Sequence, residues 1–205
     1  MSRDDLTIKE AVIHQTKATG VLPCIKLKEK QDCLAIAKAM YDGGARVIEI
    51  TMTTAGTVLD AQTAREVILH GGSLIVNPAV IPEVIQMANR YSIPVYSGAF
   101  TATEVLTAME AGASMVKIFP AQLGGPKYMT NLKMVFPQVN LIPSGGISLE
   151  NAAEYIRCGA CAVSGARTFM DTEKVREEGI QWITGQVSRF IQAVLEAKQS
   201  LPELP

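Results

Sequence analysis

A chain of 205 residues, 48% hydrophobic and 19% charged, is long enough to bury a full core and reads as a single domain over residues 1–205. Its formal net charge of −1, with lysines and arginines scattered along the chain, excludes an electrostatic footprint for nucleic acid or for an anionic membrane. No apolar run reaches membrane-spanning length and the first residues lack the apolar core of a signal peptide, so the expectation is a cytoplasmic protein whose partner is a small molecule.

In chain order, residues 1–20 read as an amphipathic helix that caps one end of the fold, with Leu6, Ile8 and Val12 on its apolar side. Short β-branched runs then alternate with segments of helical period. The predicted strands are Val21–Leu27, Val47–Met52, Leu74–Asn77, Val95–Ser97, Met115–Phe119, Leu141–Pro143 and Ala162–Ser164. Helices are predicted between them, including 30–41 and 81–91, and Thr101, Thr103 and Ser148 are suited to cap the helices that follow them. The phrases GGARVIEI, HGGSLIVN, AGASMVKI and CGACAVSG each join a helix end through glycine to a new strand, a repetition that predicts a (β/α)8 barrel. Neither G-x-G-x-x-G nor a P-loop follows any strand. The tail, 199–205, has linker-like composition.

Four cysteines are the redox or metal candidates, and Cys158 and Cys161 form a C-x-x-C. With no second such pair and with His14 and His70 far off in sequence, they read as small residues at a helix-to-strand junction. No metal is expected. In a barrel, chemistry sits at the C-terminal ends of strands, which directs attention to Lys26, Glu49, Lys117 and Ser144. Lys117 interrupts an apolar strand, where an ammonium is expensive unless neutral or paired, and a neutral amine there can attack a ketone. Glu49 lies on an early strand and can either shuttle protons for Lys117 or serve as its structural ion-pair partner; spacing alone leaves both open. The turn Ser144-Gly145-Gly146 precedes a helix, where backbone amides can converge on a phosphate or carboxylate.

With Glu49 in VIEITMTT, Lys117 in VKIFPA, the PSGGIS turn and AGTVLD in place, the chain resembles the family of 2-keto-3-deoxy-6-phosphogluconate (KDPG) and 4-hydroxy-2-oxoglutarate (KHG) aldolases, from the first strand to the last helix. The resemblance implies that Lys117 forms the Schiff base and Glu49 is the acid/base. It also implies that Thr57 helps hold the pyruvate carboxylate, that Phe119 and Pro78 line the pocket, and that the backbone of Gly145 and Gly146 receives a distal phosphate. No metal or organic cofactor is implied; the ligand is a 2-keto acid, and a homotrimer is the expected assembly. A catalytically silent sugar-acid-binding barrel is the alternative of another class.

Departures from the family pattern concern the ligand's two ends. Thr53 stands where an arginine commonly grips the substrate carboxylate, a role that Lys26 partly fills as a point charge. Ala166-Arg167 replaces Gly-Ser after the last strand, so Arg167 either clamps or blocks a phosphate, and Ser144 replaces the threonine of the preceding turn. Ser97-Gly98 replaces Pro-Gly. Finally, ITMTT runs directly into AGTVLDA, which leaves no room for the crossover that parallel strands need. One β/α unit is therefore missing between Thr54 and Ala55. Either a segment of the protein is absent from this sequence, which the uncovered outer face favours, or the barrel is open at that point.

Overall fold

The computed structural model describes residues 6–27, 32–52 and 58–201. Helix α1, Ile8–Thr19, is started by a reciprocal capping box between Thr7 and Glu10 and stopped by Gly20 in the left-handed conformation. Strand β1, Val21–Leu27, is followed by α2, Cys33–Asp42, and β2, Glu49–Met52. Next come α3, Ala61–Leu69, whose N-terminus is capped by Asp60, then β3, Ile75–Val76, and α4, Pro82–Arg90. The remaining strands are β4, Val95–Ala99, β5, Met115–Ile118, β6, Leu141–Pro143, and β7, Val163–Gly165. They are separated by α5, Ala102–Glu110, α6, Gly125–Val135, and α7, Leu149–Arg157. Two helices, α8, Thr172–Glu178, and α9, Gln181–Gln199, complete the chain.

All strand pairings are parallel. One sheet runs β2-β1-β7 and the other β3-β4-β5-β6. Parallel bridges Leu141–Ala160 and Ser144–Ser164 join β6 to β7, so the wall is a single series, β2-β1-β7-β6-β5-β4-β3. The architecture is the expected β/α barrel. Among the described residues β2 and β3 do not pair, and the wall is open there, at the place where the sequence lacks a unit.

Alternation along the strands divides the core. Leu22, Val47, Tyr96, Met115, Ile142 and Ala162 point inward and pack with Val12 of α1, which closes the N-terminal mouth of the barrel. Thr16 of α1 is fully buried, with its hydroxyl 2.7 Å from that of Tyr96. The alternate residues Val21, Ile25, Val116, Ile118, Leu141 and Val163 point outward against the surrounding helices, which include α9 through Val187, Phe190 and Val194. Beside the opening, Val58, Ala64, Ile75, Val84, Ile85 and Val95 form a smaller cluster beneath α3 and α4.

Candidate active site

Inward alternation in β1 and β5 places Cys24, Lys26 and Lys117 on the inner wall. With Phe119 and Ser144 they line a cleft of about 500 Å³ at the C-terminal end of the barrel. Gly145, Gly146, Ala166 and Arg167 form its other side. Lys117 Nζ lies 2.9 Å from Glu49 Oε2, and each side chain retains only 12% of its surface exposed. The pairing answers the charge problem that Lys117 poses within an apolar strand, because the ammonium is matched to a carboxylate two strands beyond β7 in the series. Glu49 reaches this position because its backbone pairs in register with Cys24 of β1.

The glycine turn is shaped by its neighbours. Gly146 has φ 72°, and a Cβ there would lie 2.5 Å from Gln122 Cβ; Gly145 has φ 88° and would meet the Phe119 ring at 3.2 Å. Ser148 caps α7 in a box with Asn151, and the Gly146 carbonyl accepts from Asn151 Nδ2 at 2.9 Å. Arg167 and Lys26 are both exposed cations on the cleft wall, and neither has an ion pair among the described residues. A second depression of about 330 Å³ adjoins them, with Asp171 and Glu173 on its far side.

Of the other residues singled out from sequence, Pro78 is exposed beyond the end of β3 and packs by its backbone over Gly98, where an added Cβ would fall 2.2 Å from the Pro78 carbonyl. The cleft wall does not include it, since short β3 stands at the open edge of the series. Thr53 and Thr57 lie outside the described residues. The cleft also includes residues that were not anticipated, Cys24, Gln122 and Thr168 among them. Cys24 follows from the alternation Leu22, Cys24, Lys26. Gln122 lies in the 3-10 turn Ala121–Leu123 after Phe119-Pro120 and has no signal in periodicity. Thr168 donates from its hydroxyl to the Ile147 carbonyl, tying the turns after β6 and β7 together. Among the described residues no group of three or more metal-ligating side chains converges, and Cys33, Cys158 and Cys161 are free thiols.

Residues 52–186 match the family model described as KDPG and KHG aldolase. A 2-dehydro-3-deoxy-phosphogluconate aldolase of Treponema pallidum is 29% identical over 210 positions, which cover 92% of this chain and 98% of that protein. As 92% of 205 residues is about 189, about 21 of those positions face a gap in this chain, the size of one β/α unit. A 2-dehydro-3-deoxy-6-phosphogalactonate aldolase of Escherichia coli K12 is 38% identical over 146 residues, covering 71% of this chain and 69% of that protein. The solved structure titled "Native KDPGal structure" superposes with a TM-score of 0.79 at 27% identity, covering 87% of this chain and 96% of that one. With a β/α barrel, a matched stretch of 135 residues and relatives aligned along most of its length, the chain belongs to the KDPG and KHG aldolase family of carbon–carbon lyases.

Proposed function

We propose that the protein is a class I aldolase that cleaves a 2-keto-3-deoxy-6-phospho sugar acid to pyruvate and glyceraldehyde 3-phosphate. The observation that carries this reading is the 2.9 Å contact between Lys117 Nζ and Glu49 Oε2, nearly withdrawn from water, with Lys117 on the wall of a cleft that also holds Lys26 and Arg167. Transfer of a proton from Nζ to Glu49 frees the amine lone pair for attack on the C2 ketone. Glu49 returns the proton to the carbinolamine oxygen, which leaves as water and gives the iminium. Removal of the C4 hydroxyl proton then breaks the C3–C4 bond. The electron pair moves into the enamine, the aldehyde departs, and protonation and hydrolysis of the enamine release pyruvate and regenerate the amine. Lys26 supplies charge for the keto-acid carboxylate, while Ser144, the Gly145–Gly146 backbone and Arg167 receive the distal anion.

Arg167 also favours a second substrate. Its planar fork matches a carboxylate as well as a phosphate, so 4-hydroxy-2-oxoglutarate, cleaved to pyruvate and glyoxylate, fits the same machinery. Thr57 and Phe119 complete the pyruvate pocket in this reading, with Thr53 contributing no charge, and the working form is a homotrimer in the cytoplasm. The direct test is intact mass after incubation with pyruvate and borohydride. Wild type is expected to gain a reduced pyruvate adduct that Lys117→Met does not form; absence of the adduct from folded wild type would leave only the binding-protein reading.

A further inference from the structure

Glu49 and Lys117 touch each other but face different spaces. Lys117 lines the cleft, whereas Glu49 lines a separate opening of about 100 Å³ between β2 and β3. The walls of this slot include residues from both faces of the barrel wall. Val76, like Leu74, packs toward the interior cluster, while Val58 and Ile75 belong to the outer cluster beneath α3 and α4. Ile50, which lines it, is 48% exposed, so among the described residues this side of the slot borders solvent. It therefore passes through the wall, at the place where one strand is missing.

A space of that size holds about three waters at liquid density. An apolar cavity of this size would stay dry, but this one has polar partners: the Glu49 carboxylate and the backbone groups along the facing edges of β2 and β3, which among the described residues form no ladder with each other. We infer that this slot is the enzyme's water and proton entrance, so that Glu49 exchanges protons with solvent through the side of the barrel while substrate occupies the mouth. The inference rests on the Schiff-base reading above. In that cycle the enamine carbon takes a proton from Glu49, directly or across one water. Glu49 is loaded by the C4 hydroxyl proton, or by a methyl proton when pyruvate is the substrate, and that proton exchanges with water in the slot before delivery, so no net proton is drawn from bulk.

The test uses pyruvate in deuterium oxide, where exchange of its methyl hydrogens followed by NMR reports proton delivery to the enamine, and borohydride trapping reports Schiff-base formation independently. Ile50→Trp, from β2, and Val67→Trp, from α3, enlarge two side chains that line the slot and fill it. Each is expected to slow methyl exchange about fivefold or more while the trapped fraction stays at the wild-type level. Unchanged exchange in fillers that trap pyruvate normally overturns the inference and assigns the proton route to the mouth. Should a filler fail to fold, Ile50→Ala carries the test, since it only widens the opening at an exposed position. Exchange must then rise, and an unchanged rate overturns the proposal. Absence of a trapped adduct in wild type would instead reject the Schiff-base reading itself.

Discussion

Arg167 is a side chain whose role separates the two ends of the substrate. It stands on the cleft wall beside Ala166, exposed and without an ion pair among the described residues, so its guanidinium is available to an anion. A hydrogen bond to a charged group contributes about 1.5–3 kcal/mol. Arg167→Ala is therefore expected to raise KM for the phosphorylated sugar acid by about ten- to a hundredfold with kcat little changed, because binding is lost equally from ground and transition states. Pyruvate trapping should be unaffected, since pyruvate has no distal group. An unaltered KM for both the phosphorylated and the dicarboxylate substrate would show that Arg167 merely borders the cleft. The chemistry at this scale was legible where a polar residue breaks an apolar strand, as Lys117 and Glu49 do. It was illegible for Gln122, whose place beside Gly146 depends on how the turn after Phe119-Pro120 folds back.

At the scale of elements, the contact between α1 and the barrel mouth yields a pH dependence. Burial pushes the Tyr96 phenol up to about 12, against the smaller opposing effect of its hydrogen bond with Thr16. Burial likewise pushes the Cys161 thiol up to about 11, opposed by Lys17 and Lys198. Both groups are neutral when protonated, so folding favours the protonated form. The stability they contribute is fully present below their unfolded values, about 10 for the tyrosine and about 9 for the cysteine, and is lost as pH rises through the folded ones. Denaturation midpoints should therefore fall between about pH 9 and pH 12, by about 2–3 kcal/mol for each group. Tyr96→Phe and Cys161→Ala should each flatten part of that slope, and curves parallel to wild type in both variants would refute the assignment. Pattern predicted these elements well where burial is regular: β1 and β6 have the expected bounds. It failed where caps compete. Thr103 lies inside the first turn of α5, because Thr101 and Glu104 close a capping box two residues earlier. The inward strand β2 begins at Glu49, two residues after the β-branched run that announced it.

For the whole molecule, the gap in the wall sets a gradient of stability. β4 and β5 each have ladder partners on both sides, whereas among the described residues β2 pairs only with β1, and two-residue β3 only with β4. The helices follow the same division, α2 packing against α9 and α3 against α4. Local opening free energies track such packing, so amides of Glu49–Met52 and Ile75–Val76 should exchange with solvent first and those of β4 and β5 last. Asn77 marks the same place chemically: its Nδ2 donates to the Val58 carbonyl at 3.0 Å, while its buried Oδ1 has no partner among the described residues. Inserting a strand-and-helix unit of about twenty residues between Thr54 and Ala55 would give both open edges a ladder partner and cover Ile50. Protection at β2 and β3 should then rise toward that of β4, with a higher melting temperature. If the inserted unit folds yet those amides exchange as fast as before, the weakness lies in the short strands themselves and not in the missing neighbour.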